Sequence, residues 1–265
     1  VAWNGSYWIA GGRGTNQIAI SYDGINWTPV NEPFTTECKS VCWTGEKWIA
    51  LGSGTHKVAT STDGLNWTGR GNAVFGGAVH AVATNGLIIV GTGAAGKMAY
   101  SYNGENWTNI ASTPFSNHVY GIATNGKIWV VAGRGGNTLG YSYDGINWTG
   151  VGSPISSRTY GVAWNGRYWI AVGRGNPCAV ISYDGINWLP VENSNHSPFT
   201  VQGMGIASIS KPIGVDGLKN EFVLNKYGPV LSNTMVVSGP SYYADYETDG
   251  YSSFNINVKG VKDQN

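Results

Sequence analysis

Charge is scarce in this chain. Charged residues make up 12% of its 265 positions, about half the share usual in soluble domains. Sixteen Lys and Arg nearly cancel fifteen Asp and Glu, for a formal net charge of +1. That balance argues against a nucleic-acid binder held by phosphate contacts. No run of about 18 apolar residues occurs, so no membrane span is expected. Cysteine is limited to Cys38, Cys42 and Cys178. Cys38 and Cys42 lie four apart on an expected strand, about 13 Å at ~3.3 Å per residue, which is too far for a disulfide. Buried free thiols are the expectation. Cys and His are not clustered, so no zinc site is expected. His56, His80, His118 and His196 fit neither metal nor triad spacing. The glycine-rich run Gly91 to Lys97 lacks a phosphate-loop ending and has no helix after it, so no cofactor is expected. Helical periodicity is missing as well.

Glycine (40), tyrosine (15) and tryptophan (12) are abundant instead. Glycine without a three-residue period excludes collagen, and 12% aromatics exclude a disordered chain. Short aromatic strands joined by tight turns fit this composition.

A repeat organises the chain. SYDGINW begins at Ser21 and returns, with small changes, at Ser61, Ser101, Ser142 and Ser182. A second marker, a turn ending at Gly5, Gly45, Gly86, Gly126 and Gly166, keeps the same beat. Each unit reads as four strands, a to d, with Asn-Gly between a and b in all but the second unit (Thr44-Gly45) and Asp-Gly between c and d in all but the third (Asn103-Gly104), the favoured hairpin turns. In the fifth unit these are TYGVAW, RYWIAVG, CAVISY and INWLPV. A four-stranded meander of about 40 residues is a propeller blade. The expected fold class is therefore an all-β propeller of five blades, with six as the alternative. The expected domains are residues 1–209 for the propeller and 210–265 for a β-rich C-terminal appendage or degenerate blade. Val1 lies inside the pattern, which reads as a fragment or processed product. Trp27, Trp67, Trp107, Trp148 and Trp188 on strand d are expected to fill the gaps between blades.

SYDGINW resembles the Asp-box, or BNR repeat, of sialidase-like propellers, with a loop one residue shorter. Repeats of this spelling also look like those of large-DNA-virus and phage surface proteins. The resemblance implies a structural role for Asp23, Asp63, Asp144 and Asp184, and for Asn103, which stands in for Asp in the third unit. It also implies that the turns lie away from the functional face. Sialidases need an arginine triad, a Tyr–Glu nucleophile pair and an acid. Arg13, Arg134 and Arg174 recur by symmetry, but no Tyr–Glu pair matches. A glycosidase needs two carboxyl groups across the scissile bond. Glu32, Glu37 and Glu192 fall in d–a loops in unrelated contexts, while Glu46 and Glu105 sit beside the turns. No catalytic residue is therefore expected, and a sialidase-like hydrolase is the alternative.

In a meander blade the a–b and c–d turns share one face, and the b–c and d–a links share the other. The turn face is uniform. The loop face varies, as recognition surfaces do. Phe34, Phe75, Phe115, Ile155 and Phe199 recur in the d–a loops and are expected to wedge between blades. Lys39, His80, Tyr120, Tyr160 and Met204, at the start of strand a, differ between units and are expected to ring the mouth of the channel. Candidate ligand-binding residues are thus Arg13, Arg134, Arg174, Lys39, His80, Tyr120 and Tyr160. Asn4, Asn26, Asn66, Asn106 and Asn147 fit the glycosylation sequon, though the repeat itself accounts for most of these matches. The expected function is non-enzymatic recognition or structure on a virion or other extracellular surface. The partner would be a glycan or a neighbouring structural protein, and the tail, with its SYYADYETDGY stretch, could contribute to assembly. A purely architectural capsid or fibre part is a further alternative.

Overall fold

A computed structural model describes residues 1–31, 33–71, 74–191, 202–209 and 221–225. The chain is an all-β propeller with five four-stranded antiparallel sheets, each a meander in chain order. Strand a of the five blades is Ala2–Trp3, Glu37–Trp43, Val79–Thr84, Val119–Thr124 and Arg158–Trp164. Strand b is Trp8–Gly11, Trp48–Ser53, Ile89–Gly93, Trp129–Gly133 and Trp169–Arg174. Strand c is four residues long throughout and ends at the serine of the repeat. Strand d is shorter than its spelling suggests, only Leu189–Pro190 in blade 5. The turn residues ahead of it give their backbone N–H groups to the Asp instead of to a neighbouring strand. Among the described residues no helix is long and apolar enough to cross a membrane.

Strand a of each blade packs against strand a of the next, in sequence order. Burial therefore occurs in seams between blades. Each apolar cluster draws on two neighbouring sheets: Ile9, Ile18, Trp48 and Trp67 between blades 1 and 2; Leu51, Phe75 and Ile89 between 2 and 3; Met98, Phe115 and Trp129 between 3 and 4; Leu139, Ile155 and Trp169 between 4 and 5. A single sheet cannot bury both faces, and stacking solves this. The wedges Phe34, Phe75, Phe115 and Ile155 are buried. Phe199 lies outside the described residues. Trp67, Trp107, Trp148 and Trp188 join the seam with the preceding blade. The strand-b residues Trp48, Trp129 and Trp169 are buried even more completely.

After blade 5, Gly205–Ile209 pairs with Glu221–Asn225. This hairpin packs on blade 5, with Ile206 against the cluster of Val172, Cys178 and Ala179. It joins residues on both sides of position 209. The remainder of the expected appendage, including SYYADYETDGY, lies outside the described residues. The three cysteines are not joined to one another by disulfides, and burial pushes the Cys42 thiol up to about 12.

Candidate functional site

On the turn face the repeat builds the same structure five times. Asp184 accepts N–H bonds from Ile186 and Asn187 at 2.9 and 2.7 Å, the Asn187 amide at 2.7 Å and the Ser182 hydroxyl at 2.9 Å. Asp23, Asp63 and Asp144 do the same. Gly185 takes φ +79°, the left-handed region that favours glycine. Partial burial of Asp144 and Asp184 opposes ionisation, but the donors outweigh it and hold both carboxyls at about 2. In Asp23 and Asp63 the backbone N–H of the following Asn leads, and the carboxyl lies lower still. Asn103 accepts from Glu105 and Asn106 through its single oxygen and has no second oxygen for the Asn106 amide. Three sequon asparagines, Asn26, Asn66 and Asn147, are thus tied to turn carboxylates.

The loop face is where the repeats diverge, and one backbone device organises it. Strand a is bulged against strand b at the same place in four blades. The pairing skips Lys39, His80, Tyr120 and Tyr160. A bulge leaves one residue unpaired and re-aims its side chain. The facing strand-b glycines make room for it. A Cβ on Gly52, Gly93, Gly133 or Gly173 would collide with the carbonyl of Glu37, Ala78, His118 or Arg158.

These side chains line up across blades 2 to 5, in contact from His80 to Tyr160. Lys39 pairs with Glu37 at 3.3 Å, and Glu37 also accepts from the Ser53 hydroxyl at 3.1 Å. His80 Nε2 lies 2.8 Å from His118 Nδ1. Tyr120 stacks on His118 with centroids 5.3 Å apart and rings 1° from parallel. Tyr120 then meets Tyr160 at 5.3 Å, and the Arg158 guanidinium sits 5.9 Å from the Tyr160 ring centre, a cation–π contact. Desolvation, then Lys39 and His118, lower His80 to about 4 against a weaker opposing pull from Glu37. Desolvation, Arg134, Lys39 and Arg158 lower His118. One imidazole of the pair donates and the other, which must be neutral, accepts, and the lowering of both favours the uncharged pair.

The symmetric arginines do not stay together. Arg134 is half-buried, and its Nε donates to Asn117 Oδ1 at 3.1 Å beside His118. Both Arg13, two residues beyond strand b of its blade, and Arg174, at the end of strand b, are exposed; Arg13 forms a backbone bridge to Glu37, and Arg174 one to Gln202. Met204 is exposed. Sequence reading missed His118 and Arg158. Each stands two residues before a mouth tyrosine, a period-2 signal for a shared strand face. The Arg158 Nε is buried without a hydrogen-bond partner. Among the described residues, Glu37 is the acid on the loop face. Glu46 and Glu105 lie on the turn face, and Glu32 and Glu192 lie outside the described residues. No three His, Cys, Asp or Glu come together to hold a metal among the described residues.

No family model matches the sequence, and no curated protein matches it. Solved structures do match. YCF48 bound to D1 peptide aligns with a TM-score of 0.54 and 14% identity, covering 71% of this chain and 64% of that one. The extracellular domain of BT4673 from B. thetaiotaomicron aligns with a TM-score of 0.59 and 12% identity, covering 85% and 31%. A nidogen/laminin complex aligns with a TM-score of 0.52 and 10% identity, covering 65% and 70%. The fold is the β-propeller. Such identities show the fold alone, and the chain spans less than two thirds of the first two proteins.

Proposed function

We propose that this chain is a non-enzymatic recognition module that binds a glycan at the loop-face mouth and is displayed on a virion or other extracellular surface. The observation that carries this reading is the row of four bulges that turns Lys39, His80, Tyr120 and Tyr160 toward one another. Tyrosine and histidine faces suit the C–H face of a pyranose, and the Arg158 guanidinium against Tyr160 adds positive charge beside them. Arg134 belongs to this site; Arg13 and Arg174 are blade-edge residues. The turns at Asp23, Asp63, Asn103, Asp144 and Asp184 are Asp-box-type and serve architecture. Residues 1–209 carry recognition, and 210–265 supply assembly contacts with a neighbouring structural protein. The YCF48 structure with a bound peptide makes a peptide the competing ligand.

A glycan array probed with the whole chain tests this. Binding is expected to fall about tenfold or more in Tyr160→Ala and Arg134→Ala, and to survive Asp184→Ala on the opposite face. No glycan signal, or a signal indifferent to Tyr160→Ala, overturns the glycan reading. Fluorogenic glycosides should not be turned over. Turnover that disappears in Glu37→Gln would instead establish a hydrolase.

A further inference from the structure

The seam between blades 2 and 3 departs from the other seams on the turn face. Two positions meet there in every seam: the second residue after the glycine of one blade's a–b turn, and the residue after the c–d glycine of the next blade. Between blades 3 and 4 these are Ile88 and Ile146, and between 4 and 5 they are Ile128 and Ile186; each pair shares a core cluster. Between blades 1 and 2 the places hold Tyr7 and Leu65, and the Tyr7 hydroxyl accepts from Trp48 Nε1 at 3.1 Å. Between blades 2 and 3 both positions are charged. Lys47 lies 3.6 Å from Glu105, and Arg70 reaches the same carboxylate oxygen at 3.0 Å.

An ion-paired cluster thus stands in place of the apolar plug, and beside it lies a cleft of about 330 Å³, lined by Glu46, Lys47, Thr84, Leu87, Tyr102 and Asn103. Two further departures from the repeat fall on its rim. Leu87 occupies a place held elsewhere by Ser6, Glu46, Lys127 and Arg167, and it is 79% exposed. Asn103 replaces the Asp of the other four turns. Its oxygen is used by the turn, which leaves the amide of this cleft-lining residue as a donor. Glu46 offers acceptor oxygens. Tyr102 is 69% exposed and is held edge-on against Tyr100 at 5.7 Å, which fixes a flat apolar face beside these polar groups. Lys47 and Arg70 balance Glu46 and Glu105, so the charges cancel. Neutral walls, paired donors and acceptors and a rigid aromatic plate suit a polyhydroxy ring better than an ion or an apolar ligand.

We propose that this cleft is a second, independent binding site, for a neutral saccharide unit, with Tyr102 as the stacking face and Glu46, Lys47 and Asn103 bonding its hydroxyls. It lies on the opposite face from the mouth and does not rest on the mouth's function.

Saturation-transfer NMR and calorimetry on the whole chain, with triacetylchitotriose, methyl β-galactoside and methyl α-mannoside as probes, test it. At least one probe should bind, and affinity should drop about tenfold or more in Tyr102→Ala. The double variant Lys47→Ile with Glu105→Ile restores the apolar plug of the other seams. It should abolish binding while its melting temperature holds or rises, which separates lost binding from lost folding. Measured in a Tyr160→Ala background, which removes glycan binding at the mouth, the same losses should appear. The proposal fails if none of the three probes binds, or if binding survives both Tyr102→Ala and the double variant.

Discussion

Asp184 shows what a single residue contributes to a turn. Its carboxylate satisfies two backbone N–H groups, an amide and a hydroxyl that would otherwise turn to water or splay the hairpin. Asp184→Ala should cost about 1 kcal/mol, read as a lower denaturation midpoint with no loss of mouth binding. Asn103→Asp should do the reverse. A second carboxylate oxygen would take the Asn106 amide, as in the other turns, and raise stability by about 1 kcal/mol or less. Denaturant titration of both variants checks the pair, and equal midpoints would refute this account of the turn.

Among the elements, the informative ones are strands a and b and the seams they build. Phe75 closes the seam between blades 2 and 3, almost fully buried against Leu51, Ile89 and Trp107. Phe75→Ala should cost about 3–5 kcal/mol. Among the described residues the main blade contacts run between neighbours in sequence, so the loss should appear first as faster hydrogen exchange in blades 2 and 3. Uniform exchange across all five blades would show that the array unfolds as one unit. The bulges belong to this scale too. They depend on strand a being one residue longer than its partner at the glycine of strand b, which shows only once the two strands are aligned.

At the scale of the whole molecule, stability should depend on pH in two steps. The unfolded chain protonates His80 near pH 6.5, whereas the folded chain holds it to about 4. Between those values the unfolded state binds more protons, so stability falls as pH drops through the window. Lys39, His118 and Glu37 face this ring, and the two cationic or ionisable bases strengthen the effect against Glu37. Below it, Asp144 and Asp184 lose their contribution as pH falls from 3.8 toward about 2. Melting curves from pH 7 to 2 should flatten above pH 4 in His80→Gln and keep the step below 3.8. An unchanged slope in that variant would remove His80 from the account.

The repeat alone determined the fold, because a 40-residue beat with Asn-Gly and Asp-Gly turns allows only short antiparallel meanders, and such sheets must stack to bury both faces. It also marked the positions of Lys39, His80, Tyr120 and Tyr160, since differences between otherwise equal units stand out. Tertiary structure decided which residues meet. His80 and His118 are 38 positions apart and touch because strand a of one blade lies on strand a of the next. Arg13, Arg134 and Arg174 share a place in the repeat but not an environment, because each blade has a different neighbour. The cleft beside Tyr102 follows the same logic. Lys47 and Glu105 are unremarkable singly and form an ion pair beside it only where two blades bring them together.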